Sequence, residues 1–295
     1  MKTILVLTDF TLKDDHAAHY ALKLAQQLKA NVLLCNVYPE MSTDMASGKP
    51  VFINEMYDNL ETQSKNDLSE LAGRLKKQLA KVTDTWFKPE ITQYSKGGSL
   101  TGAINELVAG RNILMAVIAM HSADDFFTFF NIDHASEIIE KANCPVLVLP
   151  YQLPFLGFNK IAFASDLDHH NMNILKSLYG LSKHFDAEIL ITHVGVTPLG
   201  RVSEAYIIKQ CLQDELTGTK PPKIQYRSIQ NKNVVEGLDW LAEHTDIDLM
   251  VLVHRKRNIF QKLFKRSITK KLASHRIKPM LVFPGHHKNE SLPLF

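Results

Sequence analysis

Residues 3–9, T-I-L-V-L-T-D, and residues 160–166, K-I-A-F-A-S-D, are two copies of one apolar run ending in one aspartate. The register between the copies continues without a gap through the next apolar run. Asp9 aligns with Asp166, Ala30 with Ala187, Val32-Leu33-Leu34 with Ile189-Leu190-Ile191, and Val37 with Val194. Matching blocks recur late in each copy, with 117–121 against 250–254 and then 144–148 against 278–282. Duplication on this scale fixes the domain count, and each copy is an ordinary domain in size. The expected boundaries are a first domain over 1–150, a linker over 151–158 containing Pro154 and Gly157, a second domain over 159–285, and a tail over 286–295.

Working outward from the first run, 2–8 is rich in Ile, Leu and Val, as a strand buried on both faces of a parallel sheet should be. From Asp14 to Lys29, Ala17, Ala21, Leu24, Ala25 and Leu28 recur at helical spacing and predict an amphipathic helix. Val32–Val37 reads as the second strand, 54–82 as a long helix with one solvated face, and 87–94 as the third strand. Gly97-Gly98 marks a turn, 100–109 a helix, 113–120 the fourth strand, 135–142 the last helix, and Pro145 the start of strand five. The second copy predicts strands near 160–165, 188–194, 223–229, 248–253 and 279–283. It is shorter, mostly between its second and third strands. Strand and helix in strict alternation imply right-handed crossovers and a twisted parallel sheet in each copy. The fold class is α/β: two Rossmann-like domains, each a five-stranded parallel sheet flanked by helices. Ligands of such sheets bind beyond the carboxyl ends of the strands, where strand order reverses. Asp9, Val37 and the loop after Met120 lie at that edge in the first copy, and Asp166, Val194 and the loop after Val253 in the second.

Composition bounds the function classes. With 45% hydrophobic and 22% charged residues the chain can bury a core in each copy. Its longest apolar run, 113–120, is far short of the roughly 20 residues that span a bilayer. Met1-Lys2 leads straight into a strand, so no signal peptide is expected. Cys35, Cys144 and Cys211 form no CxxC or Cys/His spacing, so neither a disulfide framework nor a zinc site is expected, and a reducing cytoplasm suits the chain. No Ser-His-Asp order, P-loop, or metal-ligand set singles out a catalytic residue, and no metal is expected. Asp14-Asp15 and Asp124-Asp125 read as solvated loop acids or helix N-terminal charges.

Five blocks, twice over, carry a family resemblance: the strand ending in T-D-F or S-D-L, the Ala-rich helix, the strand ending in N-V or H-V, the apolar strand running into a His, and the close N-C-P-V-L-V-L-P. The chain resembles the universal stress protein (UspA) family in tandem form. The resemblance implies adenine nucleotide alpha hydrolase-like domains, a stress-linked regulatory role, and closing strands at 145–149 and 279–283 that meet across a pseudo-twofold. It also implies, in the members that bind ATP, a loop G-x2-G-x9-G-[S/T] after strand four that wraps the phosphates. Glycine there lets the backbone approach and offer its N–H groups, and the next helix adds its positive end. The first copy has Ala119, Ser122, Ile132 and Asp133 at those positions, with no glycine and with a carboxylate in place of the hydroxyl. The second has Leu252, Arg255 and, after a one-residue insertion, Arg266-Ser267. Asp9, Asp166, Val37 and Val194 match the family positions that line the adenosine end. A strand-end Asp also caps turns in many proteins without any ligand.

Charge is sorted along the chain although the net charge is only +3. No acid occurs from Leu249 to Asn289, a span that carries Arg255, Lys256, Arg257, Lys262, Lys265 and Arg266 among its bases; the corresponding part of the first copy holds Asp124, Asp125, Asp133, Glu137 and Glu140. Two readings compete. Arg255, Arg257, Arg266 and Ser267 bind a polyphosphate or other anion, or the basic loop meets the acidic one in the same or a neighbouring chain. Nucleic acid is disfavoured, since no aromatic stacking platform accompanies the charge. His121 and His254 sit at equivalent strand ends, where a ring could touch a ligand or orient a loop. Phe126, Phe127, Phe129 and Phe130 read as an apolar interface. The expectation is a non-catalytic tandem stress-response regulator packed as an intramolecular pseudo-dimer, open to further homo-oligomerisation, with no cofactor. The alternative is a nucleotide or anion sensor, or slow ATPase, holding ATP or another anion in the second domain through Asp166, Val194, His254, Arg255, Arg266 and Ser267.

Overall fold

The computed structural model describes residues 1–39, 50–81, 86–119, 132–165, 172–196, 223–254, 278–285 and 295. The chain divides into two compact units, Met1–Ala119 and Met120–Phe295.

In the first unit, β1 (Thr3–Leu7), α1 (Leu12–Leu28), β2 (Asn31–Tyr38), α2 (Pro50–Leu79), β3 (Ile91–Gly97), α3 (Leu100–Gly110) and β4 (Ile113–Ala119) follow one another. The strands pair in parallel in the order β3-β2-β1-β4. Every residue of β4 is buried, as continuous apolar strands between two helical layers must be. The inner face of α1 is Ala17, Ala18, Ala21, Leu22, Leu24, Ala25 and Leu28, all buried. Its small alanines let the helix lie close on the sheet, while each enclosed leucine contributes about 1.5–3 kcal/mol.

The second unit holds α4 (Ile132–Lys141), β5 (Val146–Leu149), β6 (Lys160–Ala164), α5 (Met172–Lys183), β7 (Glu188–Gly195), β8 (Ile224–Gln230), α6 (Val234–His244), β9 (Leu249–His254) and β10 (Met280–Pro284). Its strands run β5-β10-β9-β6-β7-β8. All these pairs are parallel except β5 with β10, which is antiparallel with Leu281 opposite Leu147. The closing strands of the two sequence copies therefore pair with each other, running in opposite directions.

The duplication is written into the backbone as well as the sequence. Thr8 N–H donates to Cys35 O at 3.0 Å, and Ser165 N–H to Thr192 O at 2.9 Å. Asn31 N–H reaches Lys2 O at 2.8 Å, and Glu188 N–H reaches Asn159 O at the same distance. Gly98 N–H bonds Tyr38 O at 3.0 Å, and Asn231 N–H bonds Gly195 O at 3.0 Å. Even the left-handed residue ending the first helix recurs, as Lys29 and Asp186, both at φ 51°.

Four elements differ from the sequence reading by more than one residue, among them α2, which runs over Pro50–Leu79 instead of 54–82. Strand three runs over Ile91–Gly97 instead of 87–94. Pro89 has no N–H for a ladder, and pairing with β2 starts only at Val32 opposite Ile91 and continues to Tyr38 opposite Gly97. The turn then falls on Gly98, at φ 115°. Helix α1 starts two residues early because Thr11 caps it, its hydroxyl accepting from Asp14 N–H. Helix α4 starts at Ile132, earlier than position 135.

Candidate functional site

In both copies strand order reverses between the first and fourth strands, β1/β4 and β6/β9, which is where an open α/β sheet offers a crevice. Asp9 follows the end of β1 at this point. Its Oδ1 accepts from Thr11 N–H at 3.1 Å, closing an Asx turn, while Phe10 N–H donates to Thr8 Oγ1 at 3.0 Å. Phe10 takes φ 66°, a left-handed conformation uncommon for a bulky residue, so this turn is held by side-chain bonds against its own preference.

The third turn amide, Asp9 N–H, donates to Asp14 Oδ2. Asp14 is therefore not the solvated acid that its position near a helix start suggests; it is wholly buried. Burial, then a side-chain hydrogen bond with Asp9, then the Asp9 charge push its carboxyl up to about 9. At neutral pH it carries a proton and faces Asp9 as a neutral acid, so the pair presents about one negative charge. Asp15 does behave as a helix-end charge: Arg74 of α2 grips its Oδ1 through Nε at 2.9 Å and Nη2 at 2.8 Å. Sequence reasoning missed Asp14, although T-x-x-D is the spacing of a side chain folding back over a helix start and its partner by register is the neutral isostere Asn171.

Behind the turn lies a chain of polar bonds across four elements. Asn36 of β2 donates Nδ2–H to Thr8 O at 2.8 Å and accepts at Oδ1 from the Ser64 hydroxyl of α2 at 2.8 Å. Ser64 Oγ lies 2.6 Å from Ser95 Oγ of β3. Since the single Ser64 proton goes to Asn36, Ser95 is the donor of that last bond. The second copy places His193 at the Asn36 position, with Nδ1 3.1 Å from Ser165 O.

The remaining candidates fall as follows. Val37 and Val194 stand one residue before the ends of β2 and β7, both partly exposed. Val194 packs so tightly on α6 that a Cβ on Gly237 would lie 2.4 Å from its Cγ1. His254 ends β9 opposite Pro284 of β10. Ala119 ends β4, buried, so a Cβ stands where the loop pattern has its first glycine, and Asp133 lies in the first turn of α4 by the helix bounds. Asp166, Arg255, Arg266 and Ser267 lie outside the described residues, as do His121, Ser122, Asp124, Asp125 and the four phenylalanines at 126–130. Among the described residues no group of three His, Cys, Asp or Glu could hold a metal ion, and no helix is long and apolar enough to cross a membrane.

Residues 1–150 match the model of the Universal stress protein family. Among solved structures, a universal stress protein from Archaeoglobus fulgidus is similar at 13% identity and TM-score 0.64, over 96% of each chain. A functionally unknown Pseudomonas aeruginosa protein is similar at 14% identity and TM-score 0.54, over 96% of this chain and 92% of that one. Identities this low speak to the fold alone. No curated protein matches this chain in sequence.

Proposed function

The chain belongs to the universal stress protein family, and on that premise we propose that it is a non-catalytic, stress-linked regulatory protein of the nucleotide-binding type whose phosphate loop has degenerated. Its domains follow the sequence repeat, 1–150 and 159–285, joined as a pseudo-dimer through β5 and β10 inside one cytoplasmic chain. The observation that carries this reading is the end of β4. Ala119 is buried there with a Cβ that a glycine would lack, and Asp133 occupies the first turn of the helix whose positive end a phosphate would seek. A carboxylate in that turn repels a triphosphate. Asp9 and Val37, with Asp166 and Val194, keep the adenosine end of a site that has lost its phosphate end, so what remains is recognition without chemistry.

The second reading is an anion or nucleotide sensor, or slow ATPase, in the second repeat. It draws on the acid-free span after Leu249, with Arg255, Arg266 and Ser267 in place of the glycine loop and His254 at the strand end. A native mass spectrum of the protein as purified, followed by ATP titration with and without magnesium, separates the two. The first reading expects no retained nucleotide and no hydrolysis. Triphosphate bound with the magnesium dependence of a phosphate site overturns it. Loss of that binding in Arg255→Ala and Arg266→Ala would assign the site to the second repeat.

A further inference from the structure

We propose that Asn36, one position before the strand-end valine of the first repeat, is the positioning residue that sets the aspartate turn by clamping the carbonyl of the residue before the aspartate, and that His193 makes the corresponding contact in the second repeat. The two repeats reach the same contact with different chemistry. Asn36 uses an amide N–H on Thr8 O at 2.8 Å, and His193 an imidazole nitrogen on Ser165 O at 3.1 Å. A carbonyl only accepts, so Nδ1 of His193 carries the proton, and it remains a donor whether or not Nε2 is protonated.

The clamp matters because the turn it holds is otherwise self-supporting at a cost. All three turn amides, of Asp9, Phe10 and Thr11, are bonded to side chains, and Phe10 sits in the left-handed region. Thr8 contributes both anchors of this geometry, its hydroxyl to Phe10 N–H and its carbonyl to Asn36. Rotation of the peptide after Thr8 would break the carbonyl's bond to Asn36 and, on its other side, the Asp9 N–H bond to Asp14. In the first repeat the clamp is itself aimed from a distance: Ser95 directs the Ser64 proton onto Asn36 Oδ1, which leaves Nδ2 as the only group that can face Thr8. Helix α2 and strand β3 therefore determine where the carboxylate of Asp9 stands. That a ligand sits at this turn rests on the functional reading above; the clamp itself does not.

Amide hydrogen exchange across 8–14 in the full chain reads the clamp directly, with ATP binding measured in parallel. Asn36→Leu should accelerate exchange at Asp9, Phe10 and Thr11 about tenfold, as loss of one half-buried hydrogen bond worth about 1.4 kcal/mol does. Asn36→His, importing the solution of the second repeat, should restore it to within about twofold, a rescue that a merely space-filling role would not give. Should Asn36→Leu fail to fold, Ser64→Ala decides: faster exchange confined to the same amides supports the clamp, and unchanged exchange overturns it. Equal rates in Asn36→Leu and the unaltered chain, or equal rates in the Leu and His variants, also overturn it. In the second repeat, nitrogen NMR should find His193 protonated at Nδ1 when neutral, and a neutral ring protonated only at Nε2 would sink that half. Absence of ATP binding would bear on the functional reading and leave the exchange result standing.

Discussion

Replacing Asp14 by Asn should flatten the pH dependence of stability by one proton. In the native protein Asp14 is buried, accepts from Asp9 N–H, is hydrogen-bonded to the Asp9 carboxylate, and titrates at about 9. In the unfolded chain the same carboxyl titrates near its ordinary value of 3.8. Between these values the native state holds a proton that the unfolded state has released, so stability falls as pH rises. The contribution is complete below the unfolded value and is lost on approach to the native one. One proton is worth about 1.4 kcal/mol per pH unit, so from pH 5 to pH 8 the unaltered protein should lose about 4 kcal/mol relative to Asp14→Asn. The asparagine keeps the shape, an oxygen for Asp9 N–H and an N–H for the Asp9 carboxylate, and it is the residue found at the matching position, Asn171. Urea unfolding of both proteins at pH 5, 6.5 and 8 measures the difference, in which the titration of groups remote from the Asp9–Asp14 pair cancels. The stability of the variant relative to the unaltered protein should therefore rise steadily from pH 5 to pH 8. A stability difference that stays constant over this range would mean that Asp14 is ionised in the fold, and the account of a shared proton would fail.

Two further outcomes follow from packing in the second repeat. Gly237→Ala places a methyl 2.4 Å from Val194 Cγ1 and should cost about 1–3 kcal/mol by overpacking, read as a lowered calorimetric Tm; an unchanged Tm would show that the strand end yields freely. Thr192 is fully buried and its hydroxyl finds no partner among the described residues, so Thr192→Val should hold or raise stability by up to about 1–3 kcal/mol. A lowered urea midpoint would reveal a bond that the hydroxyl makes.

The fold was legible because its signals are local and doubled. Period and composition placed each strand run within a few residues, and a second copy checked each one. The limits that moved did so for reasons that a hydropathy pattern does not carry, such as the missing N–H of Pro89 and the hydroxyl of Thr11. Asp9 could be singled out from the repeat. Asp14 could not be read as buried, because a charged letter in a polar stretch carries no record of the carboxylate and amide that fold over it. Asn36 was passed over for the opposite reason: it stands beside a valine that drew attention, and its work depends on Ser64 and Ser95, residues remote in sequence.

The antiparallel seam of β5 and β10, with Val148, Leu147 and Val146 opposite Met280, Leu281 and Val282, joins two strands of a single polypeptide. Dilution cannot part them, since each is present at the high effective concentration that a covalent tether provides. In an assembly of identical subunits every substitution is expressed on both sides of the seam at once. Here a change enters one side only, and the opposite strand remains as it was to tolerate it. Tethering thus frees each copy to drift on its own, which is how one copy can carry Cys35 where the other carries Thr192, and acids where the other is acid-free, within one gene product.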